Sequence, residues 1–315
     1  MGFFASLINS MPSAVAQGLI WGIMAIGVYL TYRILDVADL TVDGSLGTGG
    51  AVCVVMVLNG APVGLALLAA TAAGMLAGLV TGLFHTACGI PAILAGILTQ
   101  LALYSVNLRI MGFGTGGGKA NLPISVDKYS LLVSARYVRN VALNNPILIL
   151  AVFCVVLIAV LYWFFGTELG CSLRATGANQ NMARAQGINT NVTTVLGLMI
   201  SNGLVALSGA LLSQYQGFSD VSMGRGAIVI GLAAVIIGEV IFSRIFRNFA
   251  LKLLSAVIGA IIYYIVMVFV LRLGLSTDDL KLLTALVVAL FLTIPYWKGK
   301  YFTKTSVKKG EKNHA

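Results

Sequence analysis

Charge is what this sequence has least of. Only 10% of its 315 residues are Asp, Glu, Lys or Arg, against 59% hydrophobic, and ten acids face twenty bases for a formal net charge of +10. Soluble domains carry about 25% charged residues, so a chain this poor in them cannot hide its apolar surface from water. Histidine is scarce, with His85 and a tail His314 far apart, which argues against a paired-imidazole metal or acid–base centre. Neither HExxH nor GxSxG is present, and the close carboxylates within the apolar segments are Asp39 and Asp43. A membrane-embedded enzyme is therefore disfavoured. The phosphate loop GxxxxGK[ST] is missing too, so any ATP must be bound by a partner. Cysteines are few: Cys53, Cys88, Cys154 and Cys171 show no CxxC spacing, and no disulfide or metal site is assigned.

What remains is apolar sequence, with a mean hydropathy of +0.97. Crossing a hydrocarbon layer of roughly 30 Å takes about 20 apolar residues, and runs of that length recur at 12–34, 40–59, 62–86, 90–110, 146–165, 192–216, 226–243, 250–272 and 281–297. The pattern predicts an all-α polytopic membrane protein with about nine transmembrane helices, eight to ten allowing for soft boundaries. Its organisation is an N-terminal segment 1–11, a membrane domain 12–297 and a basic tail 298–315. No Lys or Arg precedes Arg33, so the first run lacks the basic start of a cleavable signal and is expected to be retained.

The bases are spread among loops or gathered at Lys298, Lys300, Lys304, Lys308, Lys309 and Lys312. That distribution suits a positive-inside anchor rather than nucleic-acid binding, and puts the C-terminus in the cytoplasm and the N-terminus outside. Residues 111–145 then form an external stretch, either a docking lip or a solvated loop, with a short surface helix expected near Tyr129 to Val141.

Two of the runs open alike. Residues 39–50 read DLTVDGSLGTGG and residues 220–231 read DVSMGRGAIVIG: Asp, then Ser or Thr two residues on, then closely spaced glycines before an apolar helix. Paired Gly-interrupted segments in the two halves of a membrane chain point to discontinuous helices beside a substrate pathway. The same residues also suit plain N-caps and close helix packing.

Between the fifth and sixth runs lies an interior loop, residues 166–191, GTELGCSLRATGANQNMARAQGINTN. Asn179 is placed to cap a helix of about two turns over Gln180–Gln186, and Gly187 with Ile188 suits a left-handed C-terminal cap. Ala183 and Ala185 leave room for a partner surface, and Arg174 and Arg184 can pair with acidic groups. Such a rod can take force from a motor beneath the membrane, or lie at the headgroups held by Arg184.

Residues 173–189, LRATGANQNMARAQGIN, resemble the cytoplasmic signature RAxGxNxxxAxxxGIN of ATP-binding-cassette importer permeases of the branched-chain amino acid and ribose type. SGALLSQYQG at 208–217 follows the same family order. DLTVDGS at 39–45 and LYSVNLRIMG at 103–112 are similar to a bacterial subgroup linked to tryptophan and tyrosine uptake. The resemblance covers about 12–297, and implies a type II importer permease of the bacterial plasma membrane, built as a homodimer around one pathway. It further implies two ATPase subunits holding ATP and Mg, an external substrate-binding protein or lipoprotein, and a coupling helix at Ala178–Gly187. The chain departs from the sugar members in lacking a basic leader and an extra first span.

Polar side chains inside apolar spans are unfavourable unless partnered, and these nominate the pathway: Asp43, Ser45, Thr99, Gln100, Tyr104, Asn107, Asn202, Gln214 and Asp220. Helix-to-helix hydrogen bonding is the other role open to the Asn, Gln and Thr residues. Tyr104 and Tyr215 are candidates to stack on an aromatic substrate, or to serve as interfacial belt residues. The coupling candidates are Arg174, Ala178, Asn179, Ala183, Arg184 and Gly187. Glu239 is expected to pair locally with Arg244 or Arg247, and His85 to cap the third span. An ion-coupled secondary transporter with broken helices is the rival reading.

Overall fold

Backbone N–H and C=O groups have no water to bond inside a bilayer, so each long apolar run closes its own bonds as a helix. The computed structural model describes residues 3–114, 117–125, 128–129, 131–138, 145–242, 246, 248–272 and seven helical positions between 282 and 293. Helix α1 (Phe3–Tyr29) runs into a π-helical turn, Leu30–Leu35, that stops at Asp36 in the left-handed region (φ 56°). There follow α2 (Val42–Leu58), α3 (Val63–Thr86), α4 (Ala92–Met111), the short strand β1 (Asn121–Pro123) and α5 (Pro146–Gly166). After them come α6 (Glu168–Ala178), α7 (Gln180–Ala185), α8 (Thr190–Gln216), β2 (Phe218–Asp220), α9 (Ala227–Phe242) and α10 (Phe249–Arg272).

Six of these are long and apolar enough to cross a membrane: the α1 stretch, α3, α4, α5, α8 and α10. The short ones are α2, with 17 residues, and α9, with 16. These are the two runs whose starts carry the Asp, Ser and Gly pattern. At 1.5 Å per residue each reaches about 25 Å, less than the layer it sits in. Non-helical backbone over 36–40 and 221–226 makes up the rest. Of the ninth expected span, 281–297, the described positions are helical; the remainder of that span and the tail lie outside the described residues.

In the stretch 111–145 the surface helix expected near Tyr129 to Val141 is replaced, among the described residues, by a single 3-10 turn at Ala135–Tyr137. Ser134 accepts a bond from the Arg136 amide there. The same stretch supplies β1, which pairs antiparallel with β2 in the register Asn121↔Asp220 and Pro123↔Phe218.

Packing follows an internal exchange. Helices α1 and α8 are each 27 residues long, and each is followed by a break and then a short helix. α3 lies along α8 while α10 lies along α1, and α2 leans on α8 while α9 leans on α1 and α10. The weak twelve-residue echo is thus the visible part of a repeat that extends over several helices.

The centre is α8, whose buried face runs from Thr190 to Tyr215. Its approach to α2 is set by glycine. A Cβ on Gly49 would stand 1.8 Å from the Ala206 carbonyl oxygen, and one on Gly209 would stand 2.0 Å from that of Leu46. Without a water-to-oil driving force between helices, close backbone contact of this kind supplies the van der Waals attraction.

Gly49→Val should therefore force α2 off α8 and cost more than the roughly 1–3 kcal/mol of ordinary overpacking. Gly64→Val, where a Cβ meets nothing within 4 Å, should be tolerated. Size-exclusion profiles and melting in detergent would separate the two.

Candidate functional site

The two broken segments meet. Asp43, in the first turn of α2, accepts hydrogen bonds from the Gly226 amide on Oδ2 (2.8 Å) and from the Ile228 amide on Oδ1 (2.9 Å). The first amides of a helix have no partner within it and carry partial positive charge. The carboxylate that opens one short helix thus caps the other. Gly224 allows this, since a Cβ there would lie 2.0 Å from the Asp43 carbonyl oxygen, and Gly226 turns the chain in the left-handed region (φ +86°).

The junction is tied to the midpoint of α8 through Asn202. Its Nδ2 donates to Asp39 Oδ2 (2.7 Å), and its Oδ1 accepts from the Ser45 hydroxyl (2.6 Å). Asp39 Oδ1 accepts from the Thr41 amide (2.9 Å). Asn202 is 0% and Asp39 3% exposed, a degree of burial that demands this complete pairing. A hydroxyl chain continues sideways: the Thr41 and Thr81 hydroxyls are bonded (2.7 Å), Thr81 donates to Thr99 (2.9 Å), and Thr99 to the Ala95 carbonyl (3.0 Å).

Eight of the nine polar residues nominated from sequence fall into two groups, and Asn107 stands apart. Ser45, Thr99, Asn202 and Gln214 are buried and engaged with neighbouring helices or loops, Gln214 through the Leu132 amide (3.2 Å) and Cys53 Sγ (3.2 Å). Asp43, Gln100, Tyr104 and Asp220 keep partial or full exposure. Asn107 is buried against Gly47, and its Oδ1 has no hydrogen-bond partner. Tyr215 is 3% exposed, with its hydroxyl 3.0 Å from that of Ser13, so it is not free to stack on a substrate.

Asp220 ends β2, opposite Asn121 of β1. Partial burial pushes its carboxyl up, but bonds from the Ser222 hydroxyl and amide and from Asn121, with the charge of Arg225, outweigh this and hold it below the ordinary carboxylate range. Sequence reasoning missed Arg225 itself. Its guanidinium sits 5.5 Å from the centroid of the Tyr104 ring, near mid-helix on α4. A single base in a Gly-rich turn reads as a loop charge; only the fold carries it inward along the break.

At the other end of the bundle, α7 has the two caps its sequence predicts. Asn179 Oδ1 accepts from the Met182 amide (3.0 Å), and Gly187 is left-handed (φ +83°). The Ile188 amide reaches back to Ala183 O (3.0 Å). The helix ends at Ala185, one residue short of the expected Gln186. Ahead of it, α6 was not anticipated: Thr167 caps it, and Gly177 lets α6 press on the backbone of the π turn at Ile34.

Two coupling candidates sit differently from the expectation. Ala183 is 2% exposed, turned into the chain, and Met182 is the exposed residue at 64%. Arg174 points away from α7, stacked over Phe249 at 5.6 Å and donating to the Phe165 carbonyl. Ala178, Asn179, Arg184 and Gly187 stay exposed, with Arg184 Nε bonded to Thr190 Oγ1 (2.7 Å) on α8.

Glu239 pairs with Arg33 of the π turn (3.0 Å), because α9 packs on α1; Arg244 and Arg247 lie outside the described residues. A cavity of about 590 Å³ opens beside this pair, lined also by Tyr29, Arg174 and Lys252. His85 Nδ1 lies 2.9 Å from the Ile90 carbonyl and closes the turn after α3.

Comparison with known proteins adds four findings. A family described as branched-chain amino acid transport system, permease component, matches residues 10–294. A tyrosine transport system permease protein of Clostridioides difficile (strain R20291) is 41% identical over 284 residues, covering 90% of each chain. An uncharacterised protein of Rickettsia prowazekii is 36% identical over 289 residues, covering 90% of this chain and 97% of its own. Among solved structures, PsaBC from Streptococcus pneumoniae in complex with Fab superposes with a TM-score of 0.53 at 16% identity, over 95% of this chain and 98% of that one. This last likeness concerns the fold alone.

Asp43→Ala should leave the Gly226 and Ile228 amides unpaired and lower stability by about 1–2 kcal/mol, as loss of an N-cap does. Asp43→Asn keeps one acceptor and should lose less. Thermal melts of the two variants in one detergent would test the order.

Proposed function

The chain belongs to the branched-chain amino acid transport permease family, as the permease component of an ATP-binding-cassette-type system, and from that premise we propose that it imports an aromatic amino acid by alternating access driven by a separate ATPase. The observation that carries this reading is α7, an exposed two-turn rod capped at both ends and braced on α8 through Arg184 and Thr190. A rod that short transmits a push only if it neither frays nor slides, and the caps and brace supply both conditions.

Force entering at α7 passes along α8 to Asn202, and from there to Asp39 and Ser45 on either side of the α2 break. Asp43 then links α2 to α9. Near the other end of α9 the Arg33–Glu239 pair is the latch that must open when the path faces inward. In this reading the α7 end and the C-terminus face the cytoplasm, and α7 seats on one of two ATPase subunits that bind ATP and Mg. A second copy of the chain completes the pathway, and an external binding protein delivers substrate. The likeness to a tyrosine permease supports an aromatic amino acid.

Proteoliposomes holding the chain with its ATPase and binding protein should take up tyrosine only when supplied with ATP. Uptake by the chain alone on an ion gradient would instead establish the secondary-transporter reading. Gly187→Val should insert normally but lose ATPase association, because a β-branched residue in the left-handed region is strained; Gly187→Asn should retain association. Co-purification of the ATPase is the readout, and equal recovery with Val would remove α7 from the docking role.

A further inference from the structure

Arg225 lies at a depth where a free charge is strongly disfavoured. Helix α4 has 20 residues, about 30 Å at 1.5 Å per residue, and Tyr104 stands within about 4 Å of its midpoint. The Arg225 guanidinium is over that ring. Next to Arg225, the Gly226 amide is held by Asp43, in the turn of α2 that packs near the middle of α8. Tyr104 is 42% exposed on the open side of α4, and Arg225 is exposed beside it. An arginine at mid-membrane faces a water-filled path or a protein partner, not lipid tails.

Its charge reaches Asp220 and helps hold that carboxyl low, yet no ion pair forms between them among the described residues. Two acids beside the turn have partners of their own: Asp43 has the Gly226 and Ile228 amides, and Asp220 has Ser222 and Asn121. Among the described residues no carboxylate oxygen comes within 4 Å of the Arg225 guanidinium. Tyr104 covers one face of the guanidinium, and such stacking leaves the N–H edge free. A free guanidinium edge is matched by a carboxylate, which it binds through two parallel charge-assisted bonds.

We propose that Arg225 receives the α-carboxylate of the transported amino acid, and that Tyr104 stacks on the substrate's aromatic ring. The carboxylate draws the guanidinium off the Tyr104 face, and the uncovered face takes the substrate ring in its place, so that one cation–π contact is exchanged for a salt bridge and an aromatic pair. The inference rests on the transport reading above and adds to it a specificity site within the permease itself. It accounts for an exposed Tyr far from either membrane surface, where a belt residue would not sit.

The test uses the reconstituted complex of permease, ATPase and binding protein, with radiolabelled L-tyrosine uptake and ATP hydrolysis measured side by side. Arg225→Gln should lower uptake by about tenfold or more, the scale of a lost charge-assisted pair, while binding-protein-stimulated hydrolysis persists. Arg225→Lys should retain part of the uptake. Tyr104→Phe, which keeps an aromatic face, should retain more uptake than Tyr104→Leu, which should fall. Wild-type uptake by Arg225→Gln overturns the proposal, as does a parallel fall of uptake and hydrolysis in the Arg225 variants, which marks a structural role. Should Arg225→Gln fail to assemble, equal uptake by Tyr104→Phe and Tyr104→Leu overturns it. A wild-type complex that imports no amino acid with ATP overturns the transport reading, and this inference with it.

Discussion

Two helices that begin inside a bilayer expose amides with no solvent to satisfy them, and most of this fold answers that problem. Asp43 meets it at α9 by reaching across from α2, and Asp39 meets it at α2 through the Thr41 amide. Both acids must then be held themselves, and Asn202 joins Asp39 and Ser45 to the centre of α8. Glycines at 49, 209 and 224 bring the backbones close enough for these short side chains to span the gaps. Remove the carboxylate at 43, and the break in α9 has no reason to lie where it does.

The same bonds couple the two halves of the chain. Because the cap of α9 is carried by α2, neither short helix can shift alone without breaking charged hydrogen bonds inside an apolar layer. In the proposed mechanism, a push at α7 would therefore reach both. The exposed surface of α7 is polar with one large apolar side chain, Met182.

Much of this was legible in the residues. Long uncharged runs marked the spans, and the paired Asp and Gly patterns marked the two short helices, because helix breaks need caps and small residues wherever they occur. The caps of α7 could be read because they are local, set by Asn179 and Gly187 within a few residues. What could not be read was long-range. Nothing near position 43 announces that its carboxylate serves residues 226 and 228, and nothing near Glu239 points to Arg33. The α6 helix was hidden because Gly170 and Gly177 resemble breakers until the surfaces pressed against them are known. Arg225 escaped for a similar reason: its significance lies in depth, which a linear reading does not supply.

The π-helical turn at Leu30–Leu35 bears on the pair at the far end of α9. A π turn holds one more residue than an α turn of the same helix, so side chains beyond it are rotated by about 100° from where a regular helix would aim them. Arg33 lies within that stretch and meets Glu239. Ordinary α-helical winding of those six residues would aim Arg33 elsewhere around the cylinder and part the ions, so the π turn is what sets this pair beside the 590 Å³ cavity.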